Sequence, residues 1–174
     1  MTVEDWLSPE CLEQDAIYLG VLTAWGVKPL SRLEYPVRPW VWASLRHMAL
    51  VTARLTRYAE NGAWVEHWVF SRYAHLVERY CRQFDRQPLN GDSACLVRLE
   101  ADYFGYPQCC AEEYLRSPDV PSDLLPADQA LLFHRACTGC QVTPQLLPWY
   151  RAALVEARAL CDRYASRNRW PSAK

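Results

Sequence analysis

Apolar and polar positions alternate with a helical period along most of this chain. From Ala63 to Phe84, Trp64, Val65, Trp68, Val69, Tyr73, Leu76, Val77, Tyr80 and Phe84 recur at spacings of three and four, with Glu66, His67, Arg72, His75, Glu78, Arg79 and Arg82 between them. That spacing predicts an amphipathic helix. Upstream, Pro39 suits a first helical turn, and Trp40, Val41, Leu45, Met48, Ala49, Thr52 and Leu55 continue a similar stripe as far as Asn61-Gly62. Asn61-Gly62 reads as a helix stop, so the two segments are expected to form a helical hairpin.

Flanking segments extend the same reading. Ser8 and Pro9 are placed to cap and open a first helix through Leu12, Ile17, Leu19 and Leu22 towards Trp25-Gly26. Val27 to Arg38 reads as a proline-bearing connector, and Arg86 to Asp92 as a second break. Ser93 caps a helix that ends at Gly105, and Pro107 opens another that carries Cys109, Cys110, Tyr114 and Leu115. A further helix is expected from Ala127 to about Cys137, and Thr143-Pro144 opens a last long one through Tyr164.

The expected fold is therefore all-α: one domain spanning residues 1–174, a bundle of about six helices. Its N-terminal helices (1–90) and its cysteine-rich half (91–174) would share one core, because either half alone leaves a wide apolar face uncovered. A chain of 174 residues is long enough to bury a sizeable core without disulfide staples.

Composition narrows the partners. Nineteen Lys and Arg against twenty Asp and Glu give a net charge of -1, so no broad field favours nucleic acid or an anionic membrane. The opening Met1-Thr2-Val3-Glu4-Asp5-Trp6 does not read as a secretory signal, and no apolar run has the length of a membrane span. The expected location is cytoplasmic, where close cysteine pairs serve metal binding or redox chemistry more often than structural bridges. A protein partner is compatible with the sequence, which leaves its identity and the oligomeric state open.

Candidate chemistry lies in the cysteines. Cys109-Cys110 sit in a first helical turn, where unpaired amide N–H groups and the positive end of the helix dipole favour thiolate. Cys137 and Cys140 flank the Gly139 turn, and His134, three residues before Cys137, would share its helix face. Neighbouring helical residues point about 100° apart. On that ground the four sulfurs suit an iron–sulfur cluster, whose irons each take their own thiolate, better than a single zinc. A zinc site using Cys137, Cys140, His134 and one of the adjacent pair is the alternative, with His134 as ligand or as a donor orienting a thiolate.

The expected function is thus a metal-binding protein, with an iron–sulfur cluster at Cys109, Cys110, Cys137 and Cys140 in electron transfer or a small redox reaction. A zinc-stapled interaction module and a metal-free thiol redox protein are the alternatives. Cys11, Cys81, Cys95 and Cys161 read as packing residues, and His47, His67 and His75 as solvated surface histidines. No glycine-rich phosphate cradle, nucleophile elbow or His-Glu-x-x-His run is present, and whether the chain is an enzyme is left open.

The combination of Gly105-Tyr106-Pro107-Gln108-Cys109-Cys110 with His134-Arg135-Ala136-Cys137-Thr138-Gly139-Cys140 and Thr143-Pro144 resembles domain of unknown function 483, an uncharacterised prokaryotic family. The resemblance covers about residues 99–150. It implies that the Tyr-Pro-x-Cys-Cys and His-x-x-Cys-x-x-Cys elements form one site, and it implies no reaction.

Overall fold

The computed structural model describes residues 9–59, 61–89 and 93–167, with side chains from Leu12 to Ser166. In chain order the elements are α1 (Pro9–Ala24), β1 (Leu30–Leu33), α2 (Pro39–His47), β2 (Val51–Tyr58), β3 (Trp64–Ser71), α3 (Ala74–Phe84), α4 (Ala94–Phe104), α5 (Gln108–Arg116), α6 (Pro126–Gln129) and α7 (Thr143–Arg167). The expectation of an all-α bundle is wrong. An antiparallel three-stranded sheet, ordered β1-β3-β2, runs through the middle of the molecule.

Both expected hairpin helices contain a strand. The stripe from Pro39 is helical only to His47 and then becomes β2, while the stripe from Ala63 begins as β3 and turns helical at Ala74. Asn61-Gly62 is the β-turn between the two strands rather than a helix stop. Gly62 adopts a φ of 78°, its N–H donates to Ala59 O at 2.9 Å, and Ala59 N–H donates to Ala63 O at 2.9 Å. Leu30–Leu33, read as connector, pairs with Trp68–Ser71 at the sheet edge.

Helices cover both faces of the sheet. Phe70 faces a core built from Ile17, Leu22, Val41, Leu45, Tyr150 and Ala153, which joins α1, α2 and α7. Its neighbour Val69 faces the opposite core of Leu55, Val77, Tyr80, Phe84, Tyr103 and Phe104, which joins α3 and α4. Adjacent strand residues point to opposite faces, so burial on both sides produces consecutive apolar residues instead of alternation. This run is what gave β3 its helical look.

Some of the other expectations hold and some do not. Ser93 Oγ accepts from Leu96 N–H, and α4 ends at Gly105 in the left-handed conformation. The helix expected from Ala127 to Cys137 is reduced to the four residues of α6. The Ser8 cap and the Cys11 side chain lie outside the described residues. His47 and His75 are exposed as expected, but His67 is fully buried on β3.

Candidate metal centre

Two chain reversals bring the cysteines together. At the first, Gly105 has a φ of 68°, which lets Tyr106 N–H reach back to Ala101 O at 2.8 Å. Pro107 is extended, and its carbonyl accepts from Cys110 and Ala111 N–H, so α5 starts with Cys109 and Cys110 in its first turn. At the second, Gly139 takes a φ of 67° and Cys140 N–H donates to Cys137 O at 3.2 Å, closing a tight turn just before α7.

The segment between α5 and α7 is held mostly by side chains. Asp123 accepts from Gly139 N–H at 2.7 Å. Gln129 donates to His134 O and accepts from Ala136 N–H. The Arg135 guanidinium donates to Pro118 O and, at 2.7 Å, to Ser117 O at the end of α5. These bonds fix the Cys137–Cys140 turn against α5 where regular backbone pairing is missing.

The four sulfur atoms lie within 4.8 Å of one another. Cys109 Sγ is 3.7 Å from Cys140 Sγ, and Cys110 Sγ is 3.8 Å from Cys137 Sγ and 3.6 Å from Cys140 Sγ. Four cysteines so placed can hold a metal ion. The divergence of neighbouring helical residues does not keep Cys109 and Cys110 apart, because both lie in the opening turn, where the sulfurs still reach one point.

Hydrogen bonds single out two sulfurs. Cys110 Sγ accepts from Cys137 N–H at 3.4 Å and lies 3.7 Å from Thr143 Oγ1. Cys140 Sγ lies 3.2 Å from Thr143 Oγ1 and accepts from Thr143 N–H at 3.3 Å. Burial alone would raise the Cys140 thiol, but the Thr143 hydroxyl, the Thr143 and Val142 amides and the Cys110 contact outweigh it and bring it down to about 7. Burial pushes Cys110 up to about 11 and also raises Cys137. A bound cation reverses both by stabilising thiolate directly.

His134 stands outside the sulfur group. Among the described residues no helix joins it to Cys137; its Nε2 lies 3.3 Å from Thr143 Oγ1, and its ring packs on Tyr106 with centroids 4.9 Å apart. Its Nδ1 is buried without a hydrogen-bond partner among the described residues. Burial first, and Lys28 second, lower its imidazole to about 4, so the ring is neutral at physiological pH. Thr143 is the residue that the sequence reading missed. The sequence signal for it is its place at a helix start, three residues after Cys140.

Beside the sulfurs a cavity of about 490 Å³ is lined by Cys110, His134, Tyr106, Phe104, Arg32 and Glu100, among others. Glu112, adjacent in sequence to the centre, is engaged by the Arg98 guanidinium. Among the described residues no helix is long and apolar enough to cross a membrane.

No family model, curated protein or solved structure matches the chain.

Proposed function

We propose that Cys109, Cys110, Cys137 and Cys140 bind one zinc ion as a closed, structural tetrathiolate centre. The observation that carries this reading is the set of sulfur separations, 3.6, 3.7 and 3.8 Å. Thiolates about 2.3 Å from a tetrahedral zinc stand roughly 3.8 Å apart. A cubane iron–sulfur cluster places each thiolate on its own iron and spreads the sulfurs further. The geometry therefore favours one ion over the cluster expected from the sequence.

Four protein sulfurs leave no open position for water or substrate, which is the pattern of structural rather than catalytic zinc. The ion would fasten α5, the Cys137–Cys140 turn and the start of α7 into one unit. On this reading the protein is a metal-stapled module, and its cysteines do no electron transfer.

Metal analysis and absorption spectra of protein purified without oxygen test the proposal. One zinc per chain without visible colour is the expected result, with cobalt substitution giving the intense visible bands of a tetrahedral thiolate site. Iron with acid-labile sulfide and a brown colour would overturn it in favour of an iron–sulfur centre. Absence of both metals, with cobalt not taken up, would remove the centre altogether.

A further inference from the structure

Of the nineteen Lys and Arg residues in the chain, only Lys28 and Lys174 are lysines. Every other basic position is arginine, which never gives up its proton in a protein. Lys28, the sole internal lysine, is 2 % exposed. A chain that meets its surface needs with arginine thus keeps its one internal amine inside.

The surroundings of that amine are aromatic. Lys28 Nζ lies 4.4 Å from the centre of the Tyr106 ring, 5.7 Å from that of Phe133 and 6.0 Å from that of Phe104. Among the described residues its hydrogen-bond acceptor is Phe104 O at 2.8 Å, and no carboxylate forms an ion pair with it. Apart from that carbonyl, the amine is surrounded by the three aromatic rings. Lys28 also lines a cavity of about 400 Å³ with Asp15, Ser31, Arg32, Glu34 and Tyr35.

We propose that Lys28 is a reactive amine that binds small aldehydes or ketones from this cavity as a reversible imine. The Nζ lone pair attacks the carbonyl carbon to form a C–N bond, and the carbinolamine then loses its oxygen as water together with both N–H protons. No oxidant, reductant or metal enters the balance, so the site is independent of the zinc reading.

Three observations support it. The amine is desolvated, which lowers it to about 7 and leaves much of it unprotonated at neutral pH. The walls contributed by Phe104, Tyr106 and Phe133 suit an apolar carbonyl substituent. Asp15 and Glu34 line the same cavity, where a carboxyl group can relay the proton that the departing oxygen needs. The charged and titratable groups packed around the amine are Asp15 on α1, Arg32 on β1, Glu34 and Tyr35 after it, and Tyr106 and His134 from the sulfur side.

The test uses the folded 174-residue chain as isolated, with propanal and sodium cyanoborohydride at pH 7, followed by peptide mass spectrometry. Propylation of Lys28 at least about ten-fold faster than of Lys174 is expected, because an ordinary lysine is almost wholly protonated at that pH. The Lys28 rate should level off above neutrality while that of Lys174 keeps rising into alkaline pH. Lys28→Arg should lose this label and leave labelling of Lys174 and the α-amine unchanged. If folded wild-type protein labels Lys28 no faster than Lys174, or labels it only after unfolding in urea, the proposal is overturned, whatever the variant does.

Discussion

The Thr143 hydroxyl oxygen lies 3.2 Å from Cys140 Sγ and 3.3 Å from His134 Nε2, in a site from which Thr143 is wholly excluded from solvent. One side chain thus links a sulfur of the cysteine cluster to a neutral imidazole. A hydrogen bond to a thiolate spreads its charge and fixes its direction, and partners of this kind are typically worth about 10- to 100-fold in metal affinity. Thr143→Val keeps the volume and removes the hydroxyl, so zinc affinity measured by chelator competition should fall by roughly that factor. Thr143→Ser should restore most of it. Equal affinities in all three proteins would show that the hydroxyl only fills space.

Between Arg116 and Thr143 the one regular element is the four-residue α6. Such a stretch gains its order from side-chain bonds and, on the zinc reading, from the metal. Zinc held at about 100 times its dissociation constant would stabilise the fold by about 2.7 kcal/mol. For a chain of this size that corresponds to roughly 5–10 °C in melting temperature. Chelation should lower the melting temperature by that amount and open residues 117–142 to proteolysis first. Cys137→Ser should behave like the chelated protein, and Cys81→Ser, remote in sequence and outside the sulfur group, like wild type.

Local chemistry was legible in the sequence wherever one residue fixes one conformation. Ser93, Gly105, Pro107 and Thr143 mark helix boundaries that the structure contains, and the two cysteine pairs do converge. The sheet was not legible, because Trp68-Val69-Phe70 is buried from both sides and Trp64, Val65, Trp68 and Val69 happen to match a helical stripe. Two signals pointed the other way: the β-branched and aromatic residues of 64–70 and the Asn61-Gly62 turn. Thr143 and Lys28 escaped notice for a different reason. The bond of Thr143 to Cys140 is local, but its contacts with Cys110 and His134, and that of Lys28 with Phe104, are made across the fold, and no sequence period encodes them.

Burial of His67 has a measurable cost in acid. The ring is fully excluded from solvent, and neither nitrogen has a hydrogen-bond partner among the described residues. Burial, then the positive charge of Arg32, and further on that of Arg57, hold the imidazole down at about 4 against the pull of Glu34 and Glu100. The folded state thus favours the neutral ring. Its contribution is fully present above the unfolded value near 6.5 and is lost as pH falls towards 4, to a total of up to roughly 3 kcal/mol. His67→Leu should therefore be about as stable as wild type at pH 7.5 and clearly more stable at pH 5. Urea denaturation at the two pH values measures this, and a difference that does not change with pH would assign His67 no part in the acid response.

Two glycines with similar backbone angles give the last prediction. Gly105 and Gly62 both occupy the left-handed region, at φ 68° and 78°. A Cβ on Gly62 would meet nothing within 4 Å, whereas one on Gly105 would sit 2.6 Å from Pro29 Cδ. Gly62→Ala should therefore cost only the conformational penalty of about 1 kcal/mol. Gly105→Ala adds a collision with a rigid ring and should cost about 2–4 kcal/mol in all, as overpacking does elsewhere. The excess must also appear at the sulfurs, because moving Gly105 away from Pro29 shifts the start of α5 and with it Cys109 and Cys110. Zinc affinity should fall in Gly105→Ala and stay unchanged in Gly62→Ala. Equal stability losses in the two variants, with zinc binding intact in both, would mean that the contact with Pro29 does not position the centre.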